Sequence, residues 1–246
     1  MFKLIKKINS TNIRTRESWL ERKLKEVSAG SKILDAGAGE LQYKRFCSHL
    51  DYVSQDFGGY DGVGNSEGLQ MEKWDNSKLD IVSDITAIPQ PDQSFDAIMC
   101  IEVFEHISEP IEAVKEFSRL LKPNGKLILT APFCSLTHFA PYFFYTGYSK
   151  YWYEKFLTDN GFTIKEIYYN GNFFSYLTQE MIRLPRVIIN FSSMNILLKY
   201  LIILLLLLPL GFSITIVFIL SRFDNKSQDI LCFGLHILAE KNNFNL

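Results

Sequence analysis

The chain has 246 residues, of which 47% are apolar and 22% charged, and its formal net charge is -1. That size and composition suit one globular domain, or two, with a sizeable core. The balanced charge argues against a nucleic-acid-binding protein, because such proteins carry basic patches. Four scattered cysteines without a C-x-x-C pair indicate neither a disulfide framework nor a zinc site. No long apolar run follows the basic amino terminus, so we expect an intracellular protein.

Apolar runs alternate with helical patterns after a polar, amphipathic lead-in over residues 1–29 that contains Trp19, Leu20 and Leu24. This alternation predicts a parallel α/β sheet. Most of the runs are continuously apolar, as expected for strands covered by helices on both faces. The predicted strands are 32–36, 52–56, 80–84, 95–101 and 126–130, and the predicted helices are 41–50, 110–121 and 150–160. Residues 57–78 are rich in glycine, asparagine and acidic residues, which predicts a loop with little helix.

A glycine-containing turn follows the first predicted strand. Gly37 and Gly39 let the backbone turn sharply and come close to a ligand, and a helix starting near Leu41 would aim its amide groups at that ligand. S-adenosylmethionine suits such a turn at least as well as a dinucleotide. The dinucleotide pattern G-x-G-x-x-G requires glycine at position 42, where this chain has Gln42, so a pyrophosphate site is disfavoured. An ordinary strand-to-helix turn remains the alternative.

Acidic residues lie at or near the carboxyl ends of the first four predicted strands, where ligands bind in open α/β sheets. They are Asp35, Asp56, Asp84 and Glu102. A carboxylate at the end of the second strand can bind both ribose hydroxyls, and a polar group after the third can hold an adenine amine. Each residue alone could simply end a strand or cap a helix. Their joint occurrence with the glycine turn favours a cofactor site.

Five segments resemble class I S-adenosylmethionine-dependent methyltransferases of the broad type that includes ubiquinone-biosynthesis enzymes and polysaccharide-linked relatives. The segments are 33–39, 84–85, 95–98, 102–106 and 119–129, within a resemblance that covers about residues 30–170. The resemblance implies a Rossmann-like, doubly wound, seven-stranded, mostly parallel sheet whose antiparallel last strands are 162–169 and 229–240. It also implies that S-adenosylmethionine is the cofactor, bound by the residues Asp35, Gly37, Gly39, Asp56, Asp84, Ile85 and Glu102. Glu40 departs from the pattern, which leaves the contacts of the turn open.

Two histidines are the candidate catalytic residues. His106 follows the fourth strand, where it could instead brace the next helix. His138 lies in a proline-bounded aromatic loop after the fifth strand, where similar enzymes bind their acceptors, and it could act as a base or contact the substrate. Tyr142, Tyr145 and Tyr148 could line the acceptor pocket or pack under the loop. The spacing of acids and histidines along the chain predicts no metal site.

Residues 196–220 carry Lys199 as their only charge and meet the length criterion for a membrane helix. If the following segment returns to the sheet, a single crossing would leave it on the wrong side. We therefore predict a re-entrant or interfacial hairpin, broken at Pro209 into two short helices, on the cytoplasmic face of the membrane. Basic residues flank both ends, as two cytoplasmic ends require; they are Arg183, Arg186, Arg222 and Lys226. The alternatives are a buried core or dimer helix, or a single span.

The sequence thus predicts a membrane-associated methyltransferase whose acceptor is a lipid-linked sugar of the cell envelope or a quinone-like lipid. The loop at 132–148 favours the sugar slightly, and a homodimer is one arrangement that the sequence allows. The predicted domains are the lead-in 1–29, a cofactor-binding domain 30–175, an apolar insertion 176–228 and a returning strand 229–246. One alternative is a catalytically silent scaffold that holds a partner at the membrane. Another is an NAD-dependent oxidoreductase using Tyr151 and Lys155, which Gln42 disfavours.

Overall fold

The structure is a computed structural model that describes residues 11–243. Residues 1–10 of the predicted lead-in and 244–246 of the predicted final segment lie outside the described residues. The chain divides into two compact units. One comprises Arg16–Tyr168 and the chain from Gly234 onward, and the other comprises the chain up to Thr15 together with Tyr169–Phe233. The first unit contains most of the sheet, and the second contains a pair of long helices.

The described residues form one sheet of seven strands in the order β3-β2-β1-β4-β5-β7-β6. β1 pairs in parallel with β2 and β4, and β4 with β5, whereas β7 runs antiparallel to β5. The strands are β1 Lys32–Ala36, β2 Asp51–Asp56, β3 Ile81–Val82, β4 Phe95–Ile101, β5 Leu121–Pro132, β6 Phe162–Asn170 and β7 Gly234–Lys241. The predicted Rossmann-like sheet, mostly parallel with an antiparallel last strand, is confirmed.

Helices cover the sheet because the strand residues are apolar on both faces. The helices are α1 Thr11–Lys25, α2 Pro110–Leu120, α3 Lys150–Asp159, α4 Phe173–Phe191 and α5 Ile196–Leu220. Trp19, Leu20 and Leu24 of α1 are fully buried and share a core with alternate residues of β1 and β4, such as Ile33 and Met99. The helix α2 buries Phe117 and Leu120 and contacts β5.

The predicted helix over 41–50 is wrong. The chain there forms turns and a short 3-10 helix at Lys44–Phe46. Leu41 has φ 62°, a left-handed conformation that cannot start a right-handed helix. The predicted third strand was also too long, because only Ile81–Val82 pair in the sheet. The loop between β2 and β3 contains no helix, as predicted.

The apolar segment differs from its predicted shape. It is a single helix, α5, that continues through Pro209, so the predicted break into two short helices is wrong. A proline removes one backbone hydrogen bond and bends a helix without having to end it. The hairpin forms instead between α4 and α5, which pack against each other, with the Lys199 ammonium donating to the Ile189 carbonyl at 2.7 Å. No residue of α5 is buried in the described chain.

Candidate active site

The glycine turn after β1 is held by backbone bonds and by close neighbours. The amides of Gly37 and Ala38 both donate to the Gln55 carbonyl at 2.8 Å. Gly37 has φ 80° and Gly39 has φ 49°, which favour glycine. A Cβ atom at Gly37 would lie 2.5 Å from a methyl carbon of Val103. The turn therefore depends on glycine for its own packing as well as for the approach of a ligand.

Asp56 ends β2 beside this turn. One carboxylate oxygen accepts from the Gly39 amide at 3.0 Å, and the other accepts from the Gly58 amide at 2.9 Å. These bonds fix the carboxylate relative to the turn and leave lone pairs on each oxygen for hydroxyl donors. The arrangement fits the predicted role of Asp56 in binding ribose hydroxyls.

Asp35 lies near the end of β1 with its side chain buried. Burial, with a smaller effect of the nearby Asp56 charge, raises the pKa of this carboxyl to about 7, although a hydrogen bond from the Tyr52 hydroxyl at 2.6 Å opposes the shift. The ionised form of Asp35 is therefore disfavoured by its surroundings. Its predicted role in cofactor binding stays a prediction.

The predicted adenine edge lies after β3. Asp84 is exposed, and one of its carboxylate oxygens accepts from both the amide and the hydroxyl of Thr86 at 2.8 Å. That pattern is the local turn that aspartate commonly makes. Ile85 beside it is buried. The predicted role of Asp84 toward adenine stays a prediction.

Glu102 follows β4 in a left-handed conformation, with φ 57°. Its carboxylate pairs with the guanidinium of Arg16 at 2.8 Å and accepts from the Thr130 hydroxyl at 2.9 Å. Both oxygens are thus engaged by the protein, so any contact with a cofactor shares them. Sequence reasoning missed Arg16. The signal was present, because Arg16 lies three and four residues before Trp19 and Leu20 and so shares the buried face of α1.

The two predicted catalytic histidines come together. Their ring centroids are 4.7 Å apart and nearly perpendicular. His106 Nδ1 bonds the Tyr142 carbonyl, and His138 Nδ1 bonds the Leu136 carbonyl at 2.8 Å. Desolvation, with a smaller effect of His138, lowers the pKa of His106 to about 4, so this ring is neutral at pH 7. The buried Glu105 lies beside the two histidines. Sequence spacing did not indicate this group of three side chains, because Glu105 and His106 follow β4 whereas His138 follows β5.

Aromatic rings connect the glycine turn to the histidine pair. The loop after β2 meets the loop after β5 through backbone bonds at 3.0 Å in which Leu69 donates to Thr137 and accepts from Phe139. Phe139 stacks on His106 and contacts Trp74, whose ring lies against Gly39. These aromatic side chains form apolar contacts between the glycine turn and the histidine pair.

The predicted acceptor tyrosines differ in their surroundings. Tyr148 is buried and its hydroxyl donates to the Phe104 carbonyl at 2.7 Å, so it packs under the loop. Tyr145 is exposed and donates to the Ser108 carbonyl at 3.1 Å. Tyr142 packs edge-on against Phe57. Tyr145 and Tyr142 are therefore the two that remain available to an acceptor.

Comparison with known proteins relates part of the chain to methyltransferases. Residues 34–129 match the family model described as "Methyltransferase domain". The chain is 30% identical over 105 residues to a ubiquinone biosynthesis O-methyltransferase of Xanthomonas oryzae pv. oryzae, covering 42% of this chain and 43% of that protein. It is 34% identical over 125 residues to a demethylmenaquinone methyltransferase of Renibacterium salmoninarum, covering 50% of this chain and 48% of that protein. The chain thus spans less than half the length of these curated relatives.

The fold agrees with solved structures as well. A SAM-dependent methyltransferase from Archaeoglobus fulgidus has a TM-score of 0.56 at 15% identity, covering 93% of this chain and 94% of that chain. A putative sarcosine dimethylglycine methyltransferase from Galdieria sulphuraria has a TM-score of 0.53 at 13% identity, covering 94% of this chain and 86% of that chain. Together with the family model matched over residues 34–129, these findings support a class I methyltransferase fold with S-adenosylmethionine as its cofactor.

Proposed function

We propose that the protein transfers a methyl group from S-adenosylmethionine to an acceptor dissolved in, or linked to, a membrane. The observation that carries the membrane part is α5, which has 25 residues and a mean hydropathy of 2.9 in its most apolar window. By length and composition this helix could cross a membrane, and none of its residues is buried in the described chain. A methyltransferase domain on the same chain as such a helix suits an acceptor that is presented at a membrane.

The connectivity favours a helix pair that lies in the membrane interface over a single span. β6 precedes α4 and β7 follows α5, and both strands belong to the same sheet. If α5 crossed the bilayer, α4 would have to cross as well. α4 carries Glu180, Arg183 and Arg186 in its middle, and charges at that depth are costly. An amphipathic α4 paired with an apolar α5 instead lets both ends stay on the cytoplasmic face.

The chain's residues would align the acceptor and receive its proton. The cofactor supplies a methyl group bound to a positively charged sulfur. For a hydroxyl acceptor, the carbon–sulfur bond breaks as the carbon–oxygen bond forms, the electron pair stays with sulfur, and the acceptor proton passes to a base. The carbonyl of Leu136 accepts the Nδ1 proton of His138, so Nε2 of that ring carries the lone pair that a base needs. His106 is neutral and can position the acceptor.

Two acceptor classes fit the proposal. The relatives named for ubiquinone biosynthesis and demethylmenaquinone support a quinone-type lipid. A lipid-linked sugar of the cell envelope is the second class, and it also offers hydroxyls at a membrane surface. The net charge of -1 gives no support to a nucleic-acid acceptor. We favour the quinone-type acceptor, because the names of two relatives support it.

The first test is binding of S-adenosylhomocysteine to the detergent-purified protein, measured by calorimetry with NAD as the control. We expect micromolar binding of S-adenosylhomocysteine alone. Gly37→Ala should weaken it by about tenfold or more, because the added carbon meets Val103 at a turn with positive φ. Gly30→Ala is the matched control, since Gly30 has φ 77° but no atom within 4 Å of an added carbon. Equal binding by both variants would contradict the cofactor assignment.

The second measurement is transfer of a labelled methyl group to membrane lipid extracts, to a reduced quinone precursor and to lipid-linked sugars. Label in the quinone fraction would support the favoured acceptor, and label in the sugar fraction would replace it with the second. Binding of S-adenosylhomocysteine without transfer to any of these would favour a scaffold that holds a partner at the membrane. Gly37→Ala serves as the inactive control in every assay.

A further inference from the structure

Three metal-ligand side chains converge at the histidine pair. Glu105 and His106 belong to the short 3-10 helix Phe104–His106 after β4, and His138 comes from the loop after β5. Their ligand atoms all lie within 4.8 Å of one another. Oε1 of Glu105 is 3.8 Å from Nε2 of each histidine. The three donors therefore face one small volume.

The separations suit a shared ion better than direct hydrogen bonds. A nitrogen–oxygen distance of 3.8 Å is too long for a hydrogen bond. Ligands about 2.1 Å from a zinc ion in a tetrahedron stand about 3.4 Å apart. Side-chain rotations that close each pair of donors from at most 4.8 Å to about 3.4 Å would place an ion between them.

Two polar atoms of these side chains are buried without a hydrogen-bond partner among the described residues. They are Oε2 of Glu105 and Nε2 of His106. The Glu105 side chain is only 2% exposed. A buried carboxylate that lacks a compensating partner is costly, so a cation at this point would remove an unfavourable feature of the fold.

Backbone carbonyls hold both rings in the form that binds metals. A carbonyl oxygen only accepts, so His106 Nδ1 must carry the proton that it shares with Tyr142, and His138 Nδ1 the proton that it shares with Leu136. In both rings Nε2 is then the atom with the lone pair. Metal-binding histidines commonly donate their other ring N–H to a carbonyl, which fixes the ring and its tautomer.

We propose that Glu105, His106 and His138 bind a divalent transition-metal ion, for which zinc is the best match. Two imidazoles and one carboxylate are donors typical of catalytic zinc sites, which keep a fourth position for water or substrate. Two nitrogen donors disfavour magnesium and calcium, which prefer oxygen ligands. Glu102 stays outside the set, because Arg16 and Thr130 engage its carboxylate.

Binding of the ion does not depend on the proposed methyl transfer, but its role does rest on that proposed function. A carboxylate and two neutral rings leave one net positive charge on a zinc complex. An acceptor hydroxyl in the fourth position would then lose its proton to solvent water more readily, because a bound cation stabilises the oxygen anion. The ion would thus replace a histidine as the group that activates the acceptor.

The test is metal analysis of the full-length, detergent-purified protein after it has been stripped with a chelator, reloaded with zinc and passed through gel filtration. We expect about one zinc per chain, and a cobalt-loaded sample should show the visible absorption of a four-coordinate site. Glu105→Gln and His138→Ala should each weaken zinc affinity by about tenfold or more, because a catalytic zinc site depends on all three protein ligands. His49→Ala is the matched control, since this imidazole bonds the Leu24 carbonyl elsewhere in the fold.

Each outcome decides between the two proposals. Retained zinc affinity in both Glu105→Gln and His138→Ala, or negligible zinc in the wild type, would overturn the metal site. S-adenosylhomocysteine binding measured on the same samples shows that the variants fold, because the glycine turn contains neither residue. Cofactor binding without zinc binding would contradict the metal site and leave the methyltransferase proposal standing. Zinc binding without cofactor binding would contradict the methyltransferase proposal and leave the metal site standing. His138 is 23% exposed, so its replacement should leave the fold intact.

Discussion

At the scale of single residues, burial and hydrogen bonding shift the pKa of Asp35 in opposite directions. The carboxyl is fully buried near the end of β1 and accepts a hydrogen bond from Tyr52. The hydrogen bond favours the charged form, while desolvation and the neighbouring Asp56 favour the neutral form. Desolvation dominates, which places the pKa of Asp35 at about 7. The cofactor end of the sheet therefore contains a group that titrates near neutral pH.

The contribution of Asp35 to the stability of the protein should fall as pH rises from about 4 to about 7. The pKa of Asp35 is about 7 when folded, against 3.8 as its ordinary value, so the folded state holds this proton more tightly. That contribution is complete below the unfolded pKa and is lost as pH rises through the folded pKa. One proton allows a slope of at most about 1.4 kcal/mol per pH unit. Urea unfolding at several pH values measures how the free energy of unfolding changes with pH.

Asp35→Asn is the variant that isolates this slope. The amide keeps an oxygen to accept from Tyr52 but has no proton to gain or lose near neutral pH. We expect the pH dependence of the unfolding free energy between pH 5 and 8 to be smaller in Asp35→Asn by up to about one proton. The same slope in both proteins would show that Asp35 ionises freely in the fold.

Residue patterns identified the glycines and the acids of the site but not the partners of those acids. Gly37 and Asp56 follow strands, and such positions are visible in the sequence because strand ends define one edge of a parallel sheet. Arg16 reaches Glu102 across a long stretch of chain. Trp74 covers Gly39 from a loop without periodicity. Contacts of this kind depend on tertiary packing, which no local spacing encodes.

At the scale of elements, continuous apolar runs located the strands well. The predicted strands at 32–36 and 95–101 match β1 and β4, because buried parallel strands need apolar residues on both faces. The helix predicted over 41–50 failed, since Leu41 adopts a positive φ. Pro209 does not end helix α5, because a proline removes one backbone hydrogen bond while the neighbouring turns keep theirs.

Charges placed on the exposed surface of α5 should release the protein from membranes. Leu204 and Leu208 are 64% and 86% exposed. Aspartate in an apolar helix costs about 3 kcal/mol near the centre of a bilayer. Leu204→Asp combined with Leu208→Asp should therefore lower flotation with vesicles of phosphatidylethanolamine and phosphatidylglycerol by about tenfold or more. Binding of S-adenosylhomocysteine should stay unchanged, because α5 lies in the unit that lacks the glycine turn.

Alanine at the same two positions is the control, since it keeps the helix apolar and uncharged. The alanine variant should float with vesicles nearly as the wild type does. If the aspartate variant floated equally well, α5 would not be the membrane contact. If it lost cofactor binding, the helix would instead be needed for the fold, as in a dimer that buries α5 between two copies.

At the scale of the whole molecule, the order of strands constrains how the chain can meet a membrane. Helices α4 and α5 lie between β6 and β7 in sequence, and both strands are part of one sheet. The helix pair is therefore an insertion that begins and ends at the same domain. The sequence allowed this conclusion, because the segment after α5 reads as a strand. The packing of α4 on α5 was not predictable, because it depends on tertiary contacts that no local pattern encodes.

Cysteine labelling can distinguish an interfacial helix pair from one that crosses the bilayer. Ser193 lies exposed between α4 and α5, and Asn225 lies exposed after α5. Each is replaced by cysteine in a Cys134→Ser background, because the other three cysteines are buried. If both helix ends stay on the cytoplasmic face, a membrane-impermeant maleimide should label neither position in intact cells and both in lysed cells. Two crossing helices would expose Ser193→Cys to the reagent in intact cells while Asn225→Cys stays protected, and that result would replace the interfacial pair with a spanning hairpin.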